Sequence, residues 1–115
     1  MNKILNLDTA KKATMNNKEF LKSILKDFCQ NISLKLESME KAVSKSDKAS
    51  IKNMAHSLKG SSSSLGAEAI SEISLKIEMM GNNEDIDQID SLVKQLEQEF
   101  FRFKDQMESI EWNDI

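Results

Sequence analysis

A single histidine, His56, stands in this chain of 115 residues, and its neighbours give it a possible use. Ile51, Met54, Ala55, Leu58, Ser62 and Leu65 collect on one side of a helical wheel drawn at about 100° per residue. His56 projects roughly 160° from the centre of that stripe, so it is expected to face solvent. Lys52, Lys59, Gly60 and Ser63 follow at i−4, i+3, i+4 and i+7, spacings that place side chains on one helix face. An imidazole with an ordinary pKa of about 6.5 is largely neutral near pH 7. Its free ring nitrogen is a nucleophile that can accept a phosphoryl group and later release it. Phosphoryl transfer asks mainly for positioning and charge neutralisation around the transferred oxygens. Lys59 and Lys52 could supply positive charge, and Ser63 is a weaker candidate as a hydrogen-bond donor to a phosphate oxygen. Gly60 removes a side chain one turn from the ring. A glycine inside a helix costs about 1 kcal/mol relative to alanine, which makes sense if something large must approach. The competing explanations are plain: an exposed histidine beside a lysine is common, and Gly60 could serve helix packing.

The elements that must hold this face are helical throughout, with no convincing period-2 strand. From Asn17 to about Ser44, the residues Phe20, Leu21, Ile24, Leu25, Phe28, Cys29, Ile32, Leu36, Met39 and Val43 occupy one half of the wheel, with Leu34 alone on the far side. Asp8 to Thr14 suits a short leading helix, and Asn16-Asn17 a break and N-cap. Ser46-Asp47 reads as a turn and cap before a helix over Lys48–Leu65, which Gly66 should stop. Ala67 to Met80 carries Ile70, Ile73, Ile77 and Met80 on one stripe. Gly81-Asn82-Asn83 is the clearest turn, and a last helix over Asp85–Ser109 presents Ile86, Ile89, Leu92, Val93, Leu96, Phe100, Phe103 and Met107. The expected fold is all-α: an antiparallel four-helix bundle with a short extra N-terminal helix, one domain over residues 1–115. Ser61-Ser62-Ser63-Ser64 lies inside a helical pattern, where small side chains would let helices approach closely.

Bulk properties narrow the function. Hydrophobic residues make up 39% and charged residues 30%, as expected for a chain with one core. A net charge of −3 argues against nucleic-acid binding. No apolar run approaches the roughly 20 residues needed to cross a bilayer, and the start, Met1 to Asp8, is too broken for a signal peptide. A cytoplasmic protein is expected. One cysteine and one histidine cannot make a disulfide or a four-ligand zinc site, so no metal is expected. Cys29 reads as a small buried hydrophobe. Glu97 and Glu99 read as a solvated face.

The run Ala55-His56-Ser57-Leu58-Lys59-Gly60-Ser61-Ser62-Ser63-Ser64-Leu65-Gly66-Ala67 closely resembles the signature of the histidine-containing phosphotransfer (HPt) family, A-H-x-L-K-G, five mostly small residues, then G-A. Ile70, Ile77 and Glu78 stand where the family tends to have Leu, Leu and Glu, and the helical layout matches over nearly the whole chain. The serine run departs from the family's frequent alanines without touching the proposed chemistry. The resemblance implies that His56 carries the phosphoryl group, Lys59 helps hold it and Gly60 keeps the approach clear. It implies partners that are response-regulator receiver domains, which bring their own magnesium ion, and a hybrid histidine kinase. It implies no cofactor and no ATP-dependent kinase activity of the chain's own. Lys52 matches no fixed family position and rests on helical spacing alone.

A receiver must cover His56. Phe20, Leu21 and Phe28 are docking candidates if their side of the stripe is left partly open beside it, although core packing is the more ordinary fate of each. Leu75, Met79 and Phe101 lie off their stripes. Two other protein classes share parts of this pattern. A histidine kinase dimerisation pair typically has an acidic residue after its histidine and a proline soon after; here Ser57 follows, and the chain has no proline. A helical binding module that does not use the histidine would have no need of the His56, Lys59 and Gly60 set. A monomer is the default, because each stripe is satisfied within the bundle. The opening Met1 and compact length lean slightly toward a free-standing protein, although an excised domain would look the same.

Overall fold

The computed structural model describes residues 7–15, 17–80 and 85–110. Five helices follow in order: α1 (Leu7–Ala13), α2 (Lys18–Ser44), α3 (Lys48–Ser64), α4 (Glu68–Met79) and α5 (Ile86–Glu108). Their starts and stops follow from local chemistry. Asn17 caps α2, its Oδ1 accepting the Phe20 N–H at 3.0 Å. Asp47 caps α3, accepting both the backbone N–H (3.2 Å) and the hydroxyl (2.7 Å) of Ser50, and these bonds hold its carboxyl below the usual range.

α2 and α3 end in the same way. After α2, Ser46 N–H reaches the Val43 carbonyl and Asp47 N–H the Ala42 carbonyl; after α3, Gly66 N–H reaches Ser63 and Ala67 N–H reaches Ser62. Both are Schellman closures around one left-handed residue. That residue is Gly66 (φ 77°) after α3, but Ser46 (φ 52°) after α2. The Gly81-Asn82-Asn83 turn, Asn16 and the first six residues lie outside the described residues.

α2 packs on α3 and α5, and α4 packs on α3 and α5, so the four long helices form a square with α3 and α5 on opposite corners. Among the described residues there is no strand. The core is built from the expected stripes: Leu21, Leu25, Ile32 and Met39 of α2, Ile51 and Leu58 of α3, Ile70 and Ile77 of α4, and Ile89, Val93, Leu96 and Phe103 of α5. Phe28 and Phe103 meet edge to face at 5.3 Å, tying α2 to α5. Cys29 is buried with its Sγ 3.6 Å from Met107 Sδ, and burial pushes its thiol pKa up.

α2 has 27 residues and α3 has 17. They are joined at the C-terminal end of α2, so the excess, about 15 Å at 1.5 Å per residue, overhangs at the N-terminal end of α2. α1 lies against α2 and α3, with Ala10 fully buried.

Three expectations need correction. Phe20, placed on the inward stripe of α2 as well as among the docking candidates, is 49% exposed and so outside the core, because it belongs to the overhanging first turn of α2. Glu97 and Glu99, read as a solvated face, are half-buried. Glu97 shares a hydrogen bond with Glu40 of α2, which raises its pKa, and Glu99 pairs with Arg102 at 3.2 Å. Of the four serines in Ser61–Ser64, only Ser62 is buried; it bonds back to the Leu58 carbonyl. With buried Ser74 of α4, it gives α3 and α4, the most extensively packed pair, small side chains between them.

Candidate functional site

His56 sits mid-way along α3 on the face opposite Ile51, Ala55 and Leu58, and its side chain is 69% exposed. Its Nδ1 contacts Glu78 Oε2 of α4. The other Glu78 oxygen accepts from Lys59 Nζ at 2.6 Å. The Lys59 bond, with a smaller part from His56, holds the Glu78 carboxyl below its ordinary pKa. An ionised carboxylate can only accept, so His56 Nδ1 is the donor. In the neutral ring that leaves Nε2 with its lone pair.

Two elements meet at this group. The three-residue connection at Leu65–Ala67 folds α4 back along α3, and the Ser71 hydroxyl donates to the Lys59 carbonyl at 3.3 Å, fixing their register. From Ser71, Glu78 lies two turns further along α4, and its side chain reaches both His56 and Lys59.

Gly60 occupies the same outer face. No neighbouring heavy atom lies within 4 Å of the place its Cβ would take, so helix packing does not require glycine there. Its value is the open surface beside the imidazole. Lys52 is half-buried one turn before His56, and Ser63 is exposed two turns beyond; neither side chain makes a hydrogen bond or ion pair among the described residues. α3 carries Lys48, Lys52 and Lys59 and no Asp or Glu, so its outer face is basic on a chain of net charge −3.

The docking candidates fare differently. Leu21 (1% exposed) and Phe28 (5% exposed) are core residues, so the expectation that they line a docking surface is wrong for both. They point into the square because α3 and α5 flank that side of α2. Phe20 is exposed but stands about 22 Å along the α2 axis from Lys35, the α2 residue that reaches the site. Lys35 Nζ donates to Ser57 Oγ at 2.8 Å, next to His56. Sequence reasoning missed Lys35, since nothing in its own helix shows which α3 residue it meets. Glu78 was visible only through the resemblance, not through any spacing.

Among the described residues, no group of three or more His, Cys, Asp or Glu could hold a metal ion, and no helix is long and apolar enough to cross a membrane.

A bundle of this shape, presenting one solvent-facing imidazole oriented by a carboxylate and flanked by a lysine and a bare glycine, is a histidine phosphotransfer architecture. The family model for the Hpt domain matches residues 23–106, and the chain belongs to that family. Among solved structures, the chain is similar to histidine-containing phosphotransfer protein B from Pseudomonas aeruginosa PAO1, at 21% identity and a TM-score of 0.81. The alignment covers 96% of this chain and 99% of that one. No curated protein matches.

Proposed function

We propose that this chain is a single-domain cytoplasmic phosphorelay intermediate. His56 accepts a phosphoryl group from the aspartyl phosphate of one receiver domain and passes it to the aspartate of another; a hybrid histidine kinase would stand upstream. Nε2 of the neutral ring attacks phosphorus. The N–P bond forms as the P–O bond to the aspartate breaks, and the aspartate leaves as a carboxylate. The proton stays on Nδ1, where Glu78 accepts its hydrogen bond and stabilises the positive charge that develops on the ring. Lys59, already within reach of Glu78, can turn its ammonium to the phosphoryl oxygens. Lys52 and Lys35 add positive charge around the site, and Ser63 lies at its edge. The return step is the reverse, with the second receiver's carboxylate attacking phosphorus and Nε2 leaving. The receiver supplies magnesium, and the chain needs no cofactor and no nucleotide of its own.

The observation that carries this reading is the division of Glu78 between His56 and Lys59 beside an uncovered Gly60. The test is transfer from a phosphorylated receiver domain to the full chain. Acid-labile, base-stable phosphate should accumulate on the parent and not on His56→Gln. Lys59→Ala should slow transfer, about 10-fold or more on the scale of lost charge stabilisation, while keeping a cooperative thermal transition. Equal labelling of His56→Gln and the parent would show that the phosphate resides elsewhere.

A further inference from the structure

Large apolar side chains stand exposed at three places among the described residues: Met15 and Phe20 at the start of α2, Leu34 and Phe101 where α2 meets α5, and Leu75 and Met79 on α4. The first pair sits at the overhanging end of α2, and the second lies on the side of α2 turned from α3. The third belongs to the surface around His56. Ser71 and Glu78 mark the flank of α4 that meets α3, since the Ser71 hydroxyl donates to the Lys59 carbonyl and Glu78 holds Lys59 Nζ and His56 Nδ1. Leu75 stands between them, four residues after one and three before the other, spacings that put Cβ atoms about 5–6 Å apart. Met79 follows one turn after Leu75, as the last residue of α4. Leu75 is 40% exposed and Met79 74%.

We infer, on the relay reading proposed for His56, that Leu75 and Met79 form the apolar seat of the receiver domain, on the α4 side of the histidine. They set how tightly the receiver is held, not how fast the phosphoryl group moves. Two observations select this occupant. The first is reach. The donor must bring its phosphorus in line with Nε2, so its footprint is centred near the imidazole. A standard interface takes about 800 Å² from each partner, and a round patch of that area has a radius of about 16 Å. Glu78 touches the ring, so Leu75 and Met79, its near neighbours on α4, lie within that radius. Phe20, about 22 Å from Lys35 along α2, lies outside it. A receiver centred on His56 therefore covers Leu75 and Met79.

The second observation is composition. Interfaces join an apolar centre to a polar rim. The α3 face supplies Lys52 and Lys59, which suit the negative charge of an aspartyl phosphate. Leu75 and Met79 supply apolar surface beside them, and Glu72 and Lys76 stand exposed beyond as a rim. With Leu21 and Phe28 buried, the seat moves from α2 to α4. A methionine adapts its shape to its neighbours, so one seat serves both the donating and the accepting receiver.

The test measures transfer to the full chain, against receiver concentration, from a receiver domain of the same organism phosphorylated on its aspartate with acetyl phosphate. Joint Leu75→Gln and Met79→Gln substitution should raise KM about 10-fold, the size of one lost anchor contact. With kcat unchanged, that is the mark of lost uniform binding. The melting temperature should hold, because neither side chain is in the core. Phosphoramidate, a small donor that needs no docking surface, should label His56 of the parent and the double variant alike; Nε2 attacks phosphorus and ammonia leaves. Phe101→Gln, on the far side of the bundle, should leave KM as it is. An unchanged KM in the double variant overturns the inference. So does an equal rise in KM for Phe101→Gln, or a double variant that also loses phosphoramidate labelling, which would put the damage in the site itself. Self-association of the parent that the double variant abolishes, with KM unmoved, would assign the pair to a second copy and overturns it too. A parent labelled by phosphoramidate but by no receiver would sink the relay reading itself, and this inference with it.

Discussion

α3 presents two faces made from the same short stretch of chain. Inward, Ile51, Ala55 and Leu58 are essentially inaccessible, and the hydroxyl of Ser62 is satisfied by its own helix. Outward, His56, Lys59 and Gly60 leave their chemistry at the surface, tied to α4 by Glu78 and by the Ser71 hydroxyl on the Lys59 carbonyl, and to α2, by way of Ser57, by Lys35. The inner face answers to volume and shape, so its residues can be exchanged only for others of like size. The outer face answers to charge, tautomer and clearance, and little of the bundle's stability passes through it. The two faces should therefore separate under mutation: inner substitutions change stability, and outer ones change phosphoryl transfer.

The largest expected effect on that comparison comes from the inner face. Leu58→Ala should destabilise the domain by about 2–5 kcal/mol, the range for deleting a buried leucine side chain. Urea unfolding monitored by circular dichroism would measure it. The fraction that stays folded should still take up phosphate. A Leu58→Ala domain of full stability but inert toward a phosphorylated receiver would place chemistry on the wrong face.

The two glycines of this region sharpen the contrast further. Gly66 closes α3 in the left-handed region at φ 77°, and Gly66→Ala should lose about 1 kcal/mol or more. Gly60 is helical and its outer side is empty, so Gly60→Ala should gain up to about 1 kcal/mol. Gly60→Leu, bulkier on the docking side, should slow transfer while the fold stays intact. Paired melting curves and transfer rates would check both. Loss of stability in Gly60→Ala would mean that the glycine serves packing after all.

The smallest effect lies away from α3, where α2 meets α5. The hydrogen bond that protonated Glu97 donates to Glu40 raises the pKa of Glu97, so the folded state holds that proton more tightly than the unfolded chain does. This site's contribution to stability therefore improves as pH falls from neutral through the raised value. It levels off below the ordinary glutamate pKa of about 4.3, the reverse of a salt-bridged carboxylate such as Glu78. Glu97→Gln should raise Tm slightly at pH 7 and make no difference near pH 4. A lower Tm at pH 7 would show that the charged form of Glu97 is stabilising.

Much of this was legible in the chain itself. The periodicity of α2, α3, α4 and α5 located each helix, Asp47 and Gly66 marked the ends of α3, and the wheel put His56 outside. What stayed hidden depends on how helices meet. No spacing within α4 shows that Glu78 reaches His56, and none within α2 shows that Lys35 reaches Ser57. Both depend on the register set by the connections and by contacts such as Ser71 to the Lys59 carbonyl. For the same reason Phe20, Leu21 and Phe28 could all be entertained as docking residues until α3 and α5 enclosed Leu21 and Phe28 and the unequal lengths of α2 and α3 left Phe20 overhanging, far from the site. Ser46 carries no sequence sign of its left-handed backbone, because the Schellman closure accepts a serine where glycine is usual.

Nuclear magnetic resonance of the chain labelled with nitrogen-15 at its one histidine, before and after transfer from a phosphorylated receiver domain, tests the central claim most directly. Before transfer the ring should carry its proton on Nδ1 with Nε2 free, and afterwards Nε2 should show a coupling to phosphorus. A proton on Nε2 in the free protein, phosphorus on Nδ1, or a phosphorylated chain whose histidine nitrogens are unchanged would contradict it.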